Sequence, residues 1–392
     1  MIQRILRVRD DEHGISIIFV SLGFMAFLSA TTLAIDVGML MTARTQAQNA
    51  ADAGALAGAT ALAFNSFTDQ SASGPAVSSA INAAQANLVI GQAPSVTFSD
   101  VTFPKDPITG QFDAVQVLVH RTQARGNPVA TLIAQIFGVR TVDVNATATA
   151  GAVPANAETC VLPLTIPDKW IEKQCATATC SWSPADTFDM YDNDNKGNLL
   201  SNPDVYVPPG QTGATGYNPD TDKGLQLVLK NNNGTKVAPS MYNPWDLPGS
   251  VGGNDYRNNV ASCNPNVVKI GDSMVPENGN MVGPTQQGTN DLIAQDYNAY
   301  WDTFCNCVKG SAFPISPRIR VVPLYDPVLY AQGQQTGKSG PQLQVVNYVG
   351  FFIESIDGGG QVIGRMTPIL GKISGNGPPS IGGFARVIML VQ

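Results

Sequence analysis

Histidine is nearly absent from this sequence: His13 and His120 are the only two in 392 residues. Imidazole is the usual general base near neutral pH and a common zinc ligand, so this scarcity argues against His-based catalysis and His-rich metal sites. Charge is sparse too, at 14% Asp, Glu, Lys and Arg, against roughly 25% in an ordinary soluble domain. The 23 Lys and Arg form no basic run interleaved with aromatics, so no nucleic-acid footprint is present. No residue set combines a nucleophile, a base and an oxyanion site, which an enzyme would need. A membrane-anchored hydrolase is therefore the least favoured class, and no catalytic or cofactor-binding residue is assigned. Gly (38) and Pro (27) are plentiful, which predicts many loops. The length suggests two or three domains at roughly 150 residues each.

Residues 15–35 read ISIIFVSLGFMAFLSATTLAI and carry no charge. About 20 such residues span the hydrocarbon core of a bilayer. Asp36 follows at once, and an acid at the centre of an inserting helix costs about 3 kcal/mol, so it is expected at the far interface. Arg4, Arg7 and Arg9 precede the run, while the next basic residue after it is Arg44. The positive-inside rule then puts the N-terminus in the cytoplasm and everything beyond residue 36 outside. A cleaved signal peptide is the alternative. Its apolar region would be shorter, about 7–15 residues, and the best small-residue cleavage spacing, Thr32-Leu33-Ala34, is weak.

After Asp36 the sequence VGMLMTARTQAQNAADAGALAGATALA is Ala-rich and free of Pro, which predicts that the helix continues to residue 63. At 1.5 Å per residue some 40 Å of helix projects beyond the bilayer. One face holds only small residues: Ala43, Ala47, Ala50, Gly54, Ala57 and Ala61, with Gly58 forming a GxxxG pair with Gly54. Such a seam lets another backbone approach closely. The partner is either the chain's own globular part or copies of the helix in a bundle, and spacing alone does not choose. Arg44, Gln48 and Asp52 lie along a flank.

The pattern Gly14, apolar run, Asp36-Val37-Gly38, then Gln48-Asn49-Ala50-Ala51-Asp52-Ala53 resembles the N-terminal module of TadE/TadG-like proteins of the tight-adherence (Tad, Flp-pilus) system. Gly14, Asp36, Gly38, Gln48 and Asp52 match that motif, and the resemblance is clearest over residues 14–63. It implies a pilin-like membrane protein that assists assembly of a thin surface pilus. One departure is Phe19, five residues after Gly14, where pilin-type leader peptides carry Glu. Some TadG relatives carry a von Willebrand A metal motif, DxSxS, and Asp69-Gln70-Ser71-Ala72-Ser73 has that form. The motif needs a buried strand before it; an Ala-rich helix stands there instead, so the segment reads as a polar linker.

Gly74-Pro75 precedes a helical pattern in which Ala76, Val77, Ala80, Ile81, Ala84 and Leu88 share a face. Residues 96–103 and 112–120 read as strands joined by a turn at 106–110, and alternation over 142–148 gives a third. Asn127 with Pro128 predicts a helix start, running to Phe137 with Gly138 as its stop. From Val153 the composition shifts to Pro, Gly and Asn. All six cysteines lie beyond that point: Cys160, Cys175, Cys180, Cys263, Cys305 and Cys307. An even count on the expected oxidising side predicts disulfides. Cys175–Cys180 is a natural local loop. Six cysteines allow 15 pairings, in which Cys160 and Cys263 could each reach one of Cys305 and Cys307, and a direct Cys305–Cys307 bond would be strained by its single intervening residue. Asp192 and Asp194 with Gly197 match an EF-type loop in part, but Pro203 replaces its bidentate Glu, so they are only a weak calcium candidate. A helix is expected over 289–304, and strands over 318–324, 343–356, 361–370 and 384–391, with Gly358-Gly359-Gly360 as a hairpin.

The fold class expected is therefore α+β: a cytoplasmic tail (1–14), a long transmembrane and projecting helix (15–63), a pilin-like α+β domain (64–152) and a loop-rich, mainly β, disulfide-bonded extracytoplasmic domain (153–392). The function expected is that of a membrane-anchored component of Tad/Flp pilus assembly. Its location would be the bacterial inner membrane, with the bulk periplasmic or at the cell surface. Its expected partners are other pilins or Tad assembly proteins, and itself through the N-terminal helix. The alternative is a surface adhesin or pilus-tip ligand-binding protein, with calcium as a candidate ligand.

Overall fold

The computed structural model describes residues 12–65, 69–105, 113–175, 180–192, 197–232, 236–277, 279, 281–336, 343–375 and 383–391. Arg4, Arg7 and Arg9, the turn expected at 106–110, and Asp194 of the calcium candidate lie outside the described residues. The architecture is mixed α+β: one long apolar helix, a small helix-on-sheet layer, and a β-barrel.

Helix α1 (Glu12–Phe64) runs for 53 residues without a break. Its first half is solvent-exposed apolar surface, with Ile17, Phe19, Val20, Phe24 and Phe27 each more than 60% exposed. The hydroxyls of Ser21, Ser29 and Thr31 donate to carbonyls one turn back, at Ile17, Met25 and Phe27. Those polar groups are thus satisfied within the helix, as a hydrocarbon environment demands. Past Asp36 one face becomes buried, because α2 (Pro75–Ala86) and a sheet cover it. Gly74 caps α2, and Pro75, which has no N–H to leave unpaired, takes the first helical position.

The covering sheet has the order β1 (Val101–Thr102), β2 (Ala114–Arg121), β5 (Val144–Pro154), β18 (Ala385–Val391), β17 (Ile369–Leu370). Alternation along β2 puts Val115, Val117 and Val119 inward against the alanines of α1. The strand over 384–391, which sequence patterning assigns to the C-terminal domain, is here the neighbour of β5, antiparallel from Arg386↔Pro154 to Val391↔Thr149. The last residues of the chain therefore complete the sheet that holds α1, and the cut at 152–153 does not separate two independent sheets. The strand expected at 96–103 is reduced to β1, preceded by a 3₁₀ turn at Phe98–Asp100 that a capping box between Thr97 and Asp100 closes.

The helix expected over 127–137 is replaced by a hairpin. Its strands are β3 (Val129–Ala130) and β4 (Thr141–Val142), with a 3₁₀ turn at Ala134–Phe137 between them. Asn127 does not cap a helix; its Oδ1 accepts from the Thr122 N–H.

The second core is a closed six-stranded barrel. Its order is β7 (Leu164–Pro167), β14 (Ile319–Tyr325), β15 (Val345–Ile356), β16 (Val362–Thr367), β8 (Gln226–Asn231) and β9 (Met241–Asp246), and β9 pairs back to β7. Closure removes free edges, and Leu164, Ile166, Leu229, Val322, Val349 and Phe351 fill the interior. The Gly triplet at 358–360 joins β15 to β16 in antiparallel register. Short pairs flank the barrel: β6 (Ala157–Glu158) with β10 (Val268–Lys269), and β11 (Val275–Pro276) on β9. Helix α3 (Pro219–Asp222) is a single turn, while α4 (Gly253–Ala261), α5 (Val282–Gln295) and α6 (Pro327–Thr336) cover loops and faces. The helix expected over 289–304 ends at Gln295, and β12 (Tyr300–Asp302) pairs with β13 (Cys307–Lys309) instead. The reason is Asp296, whose carboxylate accepts from Ser311 and Ser316 hydroxyls and the Ala312 N–H, pulling the chain out of helical continuation.

The disulfides are Cys160–Cys263, Cys175–Cys180 and Cys305–Cys307. The pairing of Cys160 and Cys263 with the 305/307 pair is thereby corrected. Asn306 adopts a left-handed conformation, which Asn tolerates, and the turn between β12 and β13 brings its two flanking cysteines together.

Candidate functional site

Two residues of the N-terminal motif, Asp36 and Gln48, tie α1 to its own globular part. Asp36 is only 3% exposed. Its carboxylate accepts from three successive backbone N–H groups, Leu132 at 2.9 Å, Ile133 at 3.0 Å and Ala134 at 2.5 Å. Those donors open the 3₁₀ turn at Ala134–Phe137, so an acid 96 residues upstream does what a local cap would do. Ten residues on, Gln46 Oε1 accepts from the Ile90 N–H at 2.7 Å. Gln48 Nε2 donates to Thr147 O on β5 at 3.2 Å and to Asp52 Oδ1 at 2.8 Å. Polar ties therefore flank the buried stripe, with Asp36 at the end next to the exposed apolar half of α1.

Between them lies the small-residue seam. Ala43, Ala47 and Ala50 are fully buried and Ala61 nearly so, while Ala57 is half-buried at the edge. A Cβ placed on Gly54 would stand 3.0 Å from both Ala80 O and Ala84 Cβ of α2 and 3.2 Å from Val117 on β2. One on Gly58 would meet Val115 at 2.8 Å. The seam thus has an intramolecular partner, and self-association through that face would require α1 to leave its sheet. Gly38 differs: it is exposed and nothing lies within 4 Å of where its Cβ would be. Arg44 is also exposed. Gly14 lies within α1.

The remaining candidates do not join this cluster. Asp192 is exposed in a turn, its N–H donating to Asn198 O, and among the described residues no group of three His, Cys, Asp or Glu is placed to hold a metal. Asp69 accepts from the Ser71 N–H and hydroxyl, forming a local turn ahead of Gly74. The three disulfides lie in the barrel region.

Sequence reasoning missed the Leu132–Ala134 donors and Gln46, because backbone donors carry no side-chain signature. It also missed Glu158, which lines a cavity of about 780 Å³ between Phe64 at the end of α1 and the β12–β13 hairpin. Burial pushes the Glu158 carboxyl up to about 8, only partly opposed by Lys372, and its Oε1 has no hydrogen-bond partner. An unfolded Glu titrates near 4.3, so the folded state favours the protonated form. The stability tied to this preference is complete below that value and is lost as pH rises through about 8. Glu158→Gln is therefore expected to raise the unfolding midpoint at pH about 8.5 and to change it little at pH about 4. Equal effects at both pH values would contradict the assignment.

Asp36→Ala should free the three amides it holds. Hydrogen exchange at Leu132, Ile133 and Ala134 is expected to accelerate at least about tenfold, with the barrel amides unchanged. Unaltered protection at those three positions would show that the clamp is not what orders the turn.

No curated protein and no solved structure matches the chain. One family model does, over residues 14–61, described as "Putative Flp pilus-assembly TadE/G-like". That span begins at Gly14 and holds Asp36, Gly38, Gln48, Asp52 and all of the seam. The similarity of this chain to that family is thus carried by the helix that docks on the globular part.

Proposed function

We propose that the protein is a single-pass, pilin-like component of a Tad/Flp pilus-assembly apparatus, with its N-terminus in the cytoplasm and its bulk in the periplasm or at the cell surface. The TadE/G-like module supports the pilus-assembly role. The observation that carries the finer reading is the division of α1 into two halves: an exposed apolar half long enough to cross a bilayer, then a half docked on the globular part. A continuous helix of this kind transmits the position of the membrane segment rigidly to the sheet and barrel. Other pilins or Tad assembly proteins are the proposed partners, contacted by surfaces beyond the membrane.

Topology and assembly test this together. A phosphatase fused after residue 150 should be active and one fused after residue 10 inactive; the reverse pattern would sink the orientation. Deleting the protein should abolish surface pili counted by electron microscopy, and the full chain should restore them. Undiminished pili in the deletion strain would remove the assembly role.

A further inference from the structure

The hairpin that Asp36 clamps carries four large apolar side chains in the open. Leu132 is 57% exposed, Ile136 70%, Phe137 47% and Val139 49%. Four such residues within an eight-residue stretch form a contiguous patch of the kind that marks a contact surface. Its position is set by the clamp: the Leu132, Ile133 and Ala134 amides are bonded to Asp36, the first residue after the apolar span. On α1 itself the exposed apolar surface continues through Ile35 and Val37 to Met41. Hairpin tip and helix therefore present one apolar surface at one level.

A second observation concerns the backbone. Bilayers tolerate only segments whose polar main chain is satisfied internally. Here the N–H groups of residues 132–134 end on Asp36, and those of Thr131, Ile136, Gly138 and Val139 donate to carbonyls within the hairpin. The Gln135 side chain donates back to Leu132 O at 2.8 Å, and the Thr131 hydroxyl to Val139 O at 2.6 Å. An exposed loop ordinarily leaves such groups to water. This one pairs the N–H groups just named within the fold and turns its aliphatic and aromatic side chains outward, with Arg140 exposed at its base, where a guanidinium reaches lipid phosphates.

We propose that residues 132–139 are a second membrane-contacting element, an apolar tip seated in the interfacial layer of the bilayer that α1 crosses, held at that depth by Asp36. Interfacial elements bury an apolar face roughly 5–10 Å into the headgroup boundary, and residues 36 to 41 of α1 climb about 7.5 Å through that layer. The occupant is lipid, because the patch is continuous with the spanning helix. The inference rests on α1 being the membrane anchor, and its test separates the two.

The full chain, reconstituted in phosphatidylethanolamine–phosphatidylglycerol vesicles with and without lipids brominated near the headgroup or mid-chain, would carry one fluorescent thiol label at a time. The positions are Ile136→Cys at the tip, Leu22→Cys in the span, and Phe304→Cys, which is 98% exposed on the barrel side. Ile136 is itself exposed, so its variant keeps the fold. Leu22 should be quenched most by mid-chain bromines, and Ile136 by shallow bromines to at least about half that extent, with blue-shifted emission. Phe304 should be unaffected. Adding Asp36→Ala to the Ile136 variant should lower its quenching at least about twofold, as the tip leaves its depth. A quenched Leu22 label with an Ile136 label that behaves like Phe304 overturns the proposal while the anchor stands, and leaves the tip as a surface for another protein. An unquenched Leu22 label overturns both.

Discussion

Gly54→Leu is expected to destabilise the globular portion by about 3 kcal/mol, the upper end of the usual range for overpacking a close-packed site. Even the first carbon of the new side chain would stand 3.0 Å from the Ala80 carbonyl oxygen, a backbone atom that cannot swing aside, and 3.0 Å from Ala84 Cβ. The three further carbons of Leu would have to displace α2 or lift α1 from β2. Local helix propensity works the other way, because Leu is better than Gly by up to ~1 kcal/mol in a helix interior. A net loss therefore understates the clash by that propensity gain. Gly38→Leu on the same helix has the propensity gain without the clash, since its Cβ position is open, and should leave stability equal or higher. Denaturant unfolding of both variants in detergent decides the matter. If Gly54→Leu is as stable as the parent, α2 does not pack on α1 as described. A stably folded Gly38→Leu that fails to support pili would place an intermolecular contact on the exposed face of the motif.

Removing Cys160–Cys263 by a double Cys→Ser replacement is expected to cost roughly 3–4 kcal/mol, because chain entropy in the unfolded state grows with the closed loop and reaches ~4.7 kcal/mol for about 100 residues. The bond spans a separation of 103 residues and ties the segment before β7 to the end of α4. The same relation assigns only ~1.6 kcal/mol to a loop of about three residues, which is the case of Cys305–Cys307, at a separation of 2. The ranking, with Cys175–Cys180 between them at a separation of 5, is the sharper claim. Unfolding midpoints of the three double variants that fail to follow it would show that native contacts, and not loop closure, dominate these bonds.

Misreadings of the sequence share a cause. Asn127-Pro128 and the pattern over 289–304 both satisfy local rules for helices, and both lose to a buried carboxylate that bonds donors distant in sequence from it. Asp36 takes the amides of residues 132–134 from one side of the fold, and Asp296 gathers Ser311, Ala312 and Ser316 on the other. Each acid satisfies three donors at once, and the local propensities it overrides differ by only tenths of a kcal/mol per residue. Strand patterning survives better. Residues 112–120, 318–324 and 343–356 lie within a residue or two of β2, β14 and β15, because burial of one or both faces imposes the alternation or the apolar run directly.

The sequence by itself determined the apolar run long enough to cross a bilayer, the unbroken Ala-rich helix, the Gly14, Asp36, Gly38, Gln48 and Asp52 motif that resembles the TadE/G-like family, and an oxidised, β-rich second half. These follow from periodicity, length and composition, which are local properties of the chain. Only the tertiary structure decided what the motif holds: that Asp36 clamps a hairpin near residue 133, that the seam faces the chain's own α2 and β2, that Cys160 pairs with Cys263, and that residues 385–391 close the first sheet. Each is a contact across 26 to 242 residues. Chain spacing carries no record of such a contact, because its free energy comes from packing and desolvation between surfaces that the fold alone brings together.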